Sequence, residues 1–307
     1  MSEAQDSALK AAAAHWSAQA VPESARSNWW EHPTIVRYVN RRTCGLPLDG
    51  LMAGDVMLLS RLLDGETAKR GVSVGCGVAA KELVLLRRGL VEHFDLYEIS
   101  AARIRQATKA AKEHGMGDRI TWHNEPADFQ TADGGGYDLV YWNNSLHHML
   151  DTRQALAWSR EVLSAEGLLY MNDFVGPDRM QWPDEMLAAA TRVREALPPR
   201  LLQTAEGRDL PTEVARPDPE ALAAMDPTEC ADSAAILPAI DDLFEDATVT
   251  PTGGVVYHLA LKGVLERLGP KAIPLFDLLL LIDELHADAG MTHYAVAYNR
   301  PGLEALA

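Results

Sequence analysis

Two stretches of the chain carry residue types whose spacing could do chemistry. In Arg70-Gly-Val-Ser-Val-Gly-Cys-Gly-Val-Ala-Ala-Lys-Glu82, Gly75 and Gly77 interrupt a β-branched run (Val72, Val74), and Ala79, Ala80 and Lys81 open a helix. Without Cβ atoms, the glycines let a ligand lie on the backbone. The free N–H groups at the helix start offer that ligand about +0.5 of an elementary charge. Such a turn is a cradle for a nucleotide or a carboxylate. Read as Gly75-x-Gly77-x-x-Ala80, it fits a dinucleotide fingerprint, and Glu98 lies near the ~20-residue offset of a ribose-binding acid. A tight strand-to-helix turn with no ligand fits the same glycines. The second stretch is His147-His148, two imidazoles that titrate in the range useful for taking a proton from a hydroxyl or an amine. A histidine pair directly after a strand also serves as a helix cap or fills a polar corner.

These residues need elements to hold them. Ser7 to Ala18 is helix-prone, Pro22 and Ser24 mark a loop, and helices are expected from Thr34 to about Arg42 and from Leu51 to Leu63. Trp16, Trp29 and Trp30 either roof a pocket or staple a leading helix onto the domain. Strands are expected at Val72–Val74, His93–Glu98, Arg119–Asn124, Tyr137–Trp142 and Gly167–Phe174. Helices separate them: one ends near Gly89, one is capped by Ser100 and stopped by Gly115, and one is capped by Asp151. Strands alternating with helices predict a parallel, doubly wound sheet. Beyond it come a helix from Pro183 to Leu197, an acidic segment from Glu206 to Ser233 with Pro211, Pro217, Pro219 and Pro227, and a strand near Asp246–Thr250. Helices at Val256–Leu268 and Pro274–Asp288 and a closing strand His293–Tyr298 complete the reading.

Composition narrows the function. The 307 residues are 47% hydrophobic and 23% charged, as in a globular protein with a large core, and the net charge of −16 repels a phosphate backbone or an anionic membrane. Nucleic acid and membrane are therefore not expected partners. Cys44, Cys76 and Cys230 form no metal spacing and cannot all pair, which suits a reducing compartment and a cytoplasmic location. The first 20 residues lack the layout of a signal peptide, and the run Ile273–Ile282 falls well short of a membrane span. The ten histidines contain no helical His-x-x-x-His pair, so no metal is expected.

Taken in order, the Val72-Ser-Val-Gly-Cys-Gly77 turn, Glu98, Asp128 and Tyr137-Asp-Leu-Val-Tyr-Trp-Asn-Asn-Ser-Leu-His-His148 resemble a class I S-adenosylmethionine-dependent methyltransferase of the small-molecule kind, from about Arg70 to Phe174. Phe174-Val-Gly-Pro-Asp-Arg-Met-Gln-Trp182, Asp226-Pro-Thr-Glu229 and Gly253-Gly254 are similar to a bacterial branch of that family. The resemblance implies an α/β fold: a doubly wound, Rossmann-like, seven-stranded and mostly parallel sheet with an N-terminal helical cover and a C-terminal helical cap. Residues 1–64 would be the cover, 65–177 the cofactor-binding core, 178–245 the cap or lid, and 246–307 the last strands with inserted cap helices.

It further implies S-adenosyl-L-methionine as cofactor, held by Gly75, Cys76 and Gly77, with Glu98 and Ile99 at the ribose, Asp128 and Phe129 at the adenine and Asn143 at the methionine portion. His147 and His148 become candidate general bases, and Trp29, Trp30, Arg179, Gln181 and Trp182 candidate contacts to a small-molecule acceptor, expected to take the methyl group on an oxygen. A homodimer is compatible with this reading. Two departures stand out: the family usually has an acid where this chain has Ser73, and often a third glycine where it has Ala79. An NAD(P)-dependent oxidoreductase is the competing enzyme, disfavoured by the lack of a Tyr-x-x-x-Lys relay. A non-catalytic cofactor-binding protein is the third reading, and Ser73 is the feature behind it.

Overall fold

The computed structural model describes residues 3–18, 28–130, 135–204, 206–268 and 273–301. The expected loop at Pro22 and Ser24 lies outside them. Seven strands form one sheet: β1 (Ala68–Val74), β2 (Val91–Tyr97), β3 (Ile120–His123), β4 (Tyr137–Asn143), β5 (Leu163–Phe174), β6 (Thr248–Gly253) and β7 (Tyr294–Asn299), in the order β3-β2-β1-β4-β5-β7-β6. The first five pair in parallel, while β7 lies antiparallel between β5 and β6. The order reverses between β1 and β4, and an open α/β sheet binds its ligand outside the carboxyl ends of the strands at such a switch point.

Side-chain alternation along the central strands makes two cores. Leu139 and Tyr141 of β4, with Leu168 and Tyr170 of β5, face the layer of α3 (Ala53–Leu62), α4 (Ala80–Arg88) and α5 (Ala101–Glu113). Val140, Trp142, Leu169 and Met171 point the other way, onto α6 (Thr152–Val162) and α9 (Ile236–Leu243). A two-residue period thus buries both faces, as a parallel sheet requires. Helix α9 is not among the helices expected from the sequence; its Pro238 falls in the first turn, where N–H groups have no helical partner to lose.

A third core carries the cap. There α2 (Pro33–Cys44), α7 (Asp184–Ala196) and α10 (Ile273–Asp288) enclose a π-helical turn, Val255–Ala260. The sequence predicts one helix over Val256–Leu268, but the chain forms this π turn and a short 3-10 turn, Leu265–Arg267, instead. The buried carboxylate of Asp283 draws in the N–H groups of Gly254 (3.1 Å) and Val256 (2.7 Å), so a side chain fixes the start of the turn. Two further helices, α1 (Glu3–Ala18) and α8 (Pro219–Met225), lie outside the three cores; α1 packs on α5.

Candidate active site

Strand β1 ends at Val74, and the N–H groups of Gly75 and Cys76 both reach the carbonyl of Tyr97, at 2.9 and 3.3 Å. Gly75 and Gly77 have φ of +71° and +59°, and Ala79 also lies in the left-handed region. A Cβ on Gly75 would come within 3.2 Å of the Ser145 Cβ, and one on Gly77 within 3.3 Å of an Arg103 nitrogen. The turn therefore keeps free a space that a side chain would fill. Glu98 closes its far side: one carboxylate oxygen accepts from Gly77 N (2.8 Å) and the other from Ser100 N (2.7 Å). Burial pushes this carboxyl upward despite those hydrogen bonds. Each oxygen retains a second lone pair for a ligand hydroxyl.

Position 73 has its acid after all, brought from elsewhere. Ser73 donates to Oε1 of the buried Glu82 on α4 at 2.8 Å, and Oε2 of Glu82 has no hydrogen-bond partner. Next to the turn, a cavity of about 330 Å³ is walled by Trp29, Trp30, Asn40, Asp55, Lys81, Asn143, Asn172 and Tyr294. The Lys81 ammonium donates to the Asn143 carbonyl at 2.7 Å, and burial depresses it. Asp55, raised by its own burial, accepts from the Tyr170 hydroxyl and from Asn172 Nδ2 at 2.7 Å. A carboxyl group and an amine thus stand in one wall.

A second polar group follows β4. Asp173 Oδ1 meets His147 Nδ1 at 2.5 Å, and its Oδ2 accepts from the N–H groups of Ser145 and Leu146, both at 2.8 Å. Burial alone would depress His147, but the charge and hydrogen bond of Asp173 outweigh it and the imidazole is raised. The same pairing holds the Asp173 carboxyl low although it is buried. His148, its ring 4.1 Å from that of His147, is driven far down by burial first and then by His147, Arg103 and His15. Around it stand Thr228, Asp226 and Glu229. Trp16 of α1 meets His148 edge-on at 5.3 Å and carries the Arg103 guanidinium over its face at 4.2 Å.

Residues 72–169 match the family model described as a methyltransferase domain. Residues 72–169, about a third of the chain, thus carry a methyltransferase domain. Among solved structures the chain is similar to the cyclase SpnF, at 13% identity over 91% of this chain and 98% of that one, with a TM-score of 0.46. It is also similar to geranyl diphosphate methyltransferase in complex with GPP and sinefungin (12% identity, 81% and 78% covered, TM-score 0.46). The N-methyltransferase NodS from Bradyrhizobium japonicum WM9, with S-adenosyl-L-homocysteine bound, matches at 20% identity over 40% of this chain and 61% of that one, with a TM-score of 0.33.

Within this domain, Gly75, Cys76, Gly77 and Glu98 lie together at the turn. Ile99 follows, its carbonyl accepting from Asn124 at 3.3 Å. Asp128 is exposed and caps Gln130 N at 3.0 Å, and Phe129 packs edge-on to Trp158 at 5.4 Å. Trp29, Trp30 and Asn143 line the cavity, whereas His147 and His148 are not among its walls. Arg179 is engaged elsewhere: its guanidinium donates to the carbonyls of Glu229 and Pro227, both at 2.7 Å, so it braces the Asp226–Glu229 loop. Gln181 donates to the carbonyls of Arg179 and Pro217, and Trp182 is buried beside His258 and His293 with its indole N–H unpartnered.

Asp55, Lys81, Glu82, Asn172, Asp173 and Glu229 escape the sequence reading as site residues. For Asp173 and Glu229 a signal exists, because they end and lie within stretches that carry the family resemblance. Asp55 lies on a helix far upstream, and only the fold sets it against Asn143 and Asn172.

Proposed function

We propose that the chain methylates a small-molecule acceptor, most readily at an oxygen, with His147 as the general base. The observation that carries this reading is the Asp173–His147 contact at 2.5 Å, just beyond β4, the sheet neighbour of the strand that leads into the glycine turn. A carboxylate on Nδ1 fixes the tautomer and leaves Nε2 to take a proton, the arrangement a base needs.

Two features support S-adenosylmethionine at the turn: two positive-φ glycines leave room against Ser145 and Arg103, and the buried Glu98 carboxylate accepts from Gly77 N beside them. When bound, S-adenosylmethionine supplies an electrophilic methyl group, its sulfonium C–S bond breaking as the acceptor O–C bond forms and S-adenosylhomocysteine departs. Glu98 would accept from the ribose hydroxyls, with Ile99 beside it, and Asp128 and Phe129 would flank the adenine. Lys81 and Asp55 suit the carboxylate and the ammonium of the methionine portion, next to Asn143. Trp29 and Trp30 roof the acceptor side and exclude water. His147 receives the acceptor proton, and Asp173 stabilises the imidazolium that results.

Positioning dominates the energetics. Holding two reactants in line is worth about 7–11 kcal/mol, while a base adds about 10²–10⁴-fold. The test is calorimetric titration with S-adenosylhomocysteine and with NADH, followed by a labelled-methyl screen of hydroxylated acceptors. Binding of S-adenosylhomocysteine alone is expected; binding of NADH alone would overturn the reading. On an acceptor so identified, His147→Ala is expected to lose about 10²–10⁴ in kcat with cofactor affinity kept. Full turnover in that variant removes His147 as the base.

A further inference from the structure

Beside His147, an imidazole and two carboxylates face one another, and one of the carboxylate oxygens has no partner. His148 Nδ1 lies 3.7 Å from Asp226 Oδ2, and His148 Nε2 lies 3.8 Å from Glu229 Oε2. Neither separation is a hydrogen bond. Asp226 is only 3% exposed, and its Oδ2 has no hydrogen-bond partner. Its other oxygen is fully used, accepting from Thr228 N at 2.9 Å and Thr228 Oγ1 at 2.6 Å. Because Thr228 spends its single hydroxyl proton there, its oxygen is the acceptor in the 3.3 Å contact with His148 Nδ1. The neutral ring then carries its proton on Nδ1 and turns the lone pair of Nε2 toward a carboxylate. Opposed lone pairs in a buried pocket are costly unless a cation lies between them.

We propose that His148, Asp226 and Glu229 bind one divalent transition-metal ion. One donor atom from each of the three residues lies within 4.8 Å of the other two. Bonds of about 2.1 Å to two atoms 3.8 Å apart, as His148 Nε2 and Glu229 Oε2 are, converge at an angle of about 130°. An imidazole with two carboxylates suits Zn²⁺ or Mn²⁺ and leaves coordination positions open. The support is built in as well: Thr228 orients Asp226, and Arg179 clamps the carbonyls of Pro227 and Glu229. The assignment deepens the methyl-transfer reading and rests on it: an acceptor hydroxyl on the ion would stand next to His147, to which it gives its proton. His148 is then a metal ligand and His147 remains the base.

The experiment uses the full chain, freed of metal by a chelator and titrated with Co²⁺ and Zn²⁺ by calorimetry and visible absorption, with S-adenosylhomocysteine titrated separately. One Co²⁺ per chain with a ligand-field band is expected, and Asp226→Asn and Glu229→Gln should each weaken it at least tenfold while S-adenosylhomocysteine affinity stays within about threefold, reporting that each variant is folded. Absence of stoichiometric Co²⁺ and Zn²⁺ binding in a chain that binds S-adenosylhomocysteine overturns the metal site and leaves methyl transfer standing. Metal binding without any affinity for S-adenosylhomocysteine supports the site and sinks the reading on which its role rests. His147, Glu229 and Cys230 form a neighbouring donor group within the same 4.8 Å limit. Loss of Co²⁺ on Cys230→Ser but not on Asp226→Asn would overturn the assignment in favour of that group.

Discussion

Glu98 shapes the glycine turn at which cofactor binding is proposed. Its two oxygens accept from Gly77 N and Ser100 N, which fixes the turn relative to the start of α5. Charge-assisted hydrogen bonds contribute about 1.5–3 kcal/mol each. Glu98→Ala is accordingly expected to weaken S-adenosylhomocysteine binding by about 10- to 100-fold, and calorimetry that finds unchanged affinity would free Glu98 from the cofactor site. Asp173 is a harsher position. It is 1% exposed, pairs with His147 and accepts three backbone N–H groups, those of Ser145, Leu146 and Phe174. Removing one partner of such a buried pair costs about 3–5 kcal/mol, so Asp173→Ala should lower the urea midpoint as well as turnover.

At the level of elements, the active region depends on contacts between segments far apart in sequence. Helix α1 reaches it through Trp16, which lies under Arg103 at 4.2 Å and against His148, and through Ser17, whose hydroxyl lies 2.9 Å from that of Ser100. A cation over an indole is worth about 0.5–2 kcal/mol. Trp16→Ala should therefore release α1 from α5, seen as faster amide exchange along α1, and exchange unchanged from the parent would show that α1 docks by other means. The junction of β6 with the π turn is tighter. A Cβ on Gly253 would lie 1.8 Å from Asp283 Oδ2 at a φ of +95°, so Gly253→Ala should destabilise by about 3–5 kcal/mol in denaturant titration.

Over the whole molecule, histidines buried in the cap set a pH dependence of stability. Burial, assisted by Lys262, holds His258 at about 4, and burial with His258 nearby holds His293 at about 3, against an ordinary value of 6.5. A depressed group binds fewer protons folded than unfolded, so its stabilisation is complete above pH 6.5 and is lost as pH falls toward 4 and below. Each unit is worth about 1.4 kcal/mol, which makes the pair a loss of several kcal/mol at pH 4. Asp283 works the other way, because burial raises it from 3.8 to about 6 and its contribution fades as pH rises through that window. Comparing His293→Phe with the parent isolates the histidine part: urea midpoints at pH 7.5 and 5 should differ less in the variant. Equal slopes would show that His293 does not set the acid sensitivity. Among the described residues, no helix is long and apolar enough to cross a membrane.

How much of this was legible in the sequence follows from the range of the forces involved. The strand-turn-helix at Val72–Lys81, the acid ending the strand at Glu98, the Ser100 and Asp151 caps and the strand at Tyr137–Trp142 are local, and residues next to one another in the chain decide them; the structure keeps each of them. The π turn at Val255–Ala260 was not legible because Asp283, 27 residues or more downstream, supplies the hydrogen bonds that shape it. The site divides in the same way. Sequence alone located the glycine cradle and the histidine pair. Only tertiary structure gave His147 its carboxylate from β5, moved the missing acid of position 73 to Glu82, turned Arg179 from a pocket candidate into a brace, and set Asp226 and Glu229 around His148. Turns and caps are settled by a few neighbouring dihedrals, whereas a buried charge is settled by whichever partner the fold brings within about 4 Å, and that choice is made only when the chain has closed.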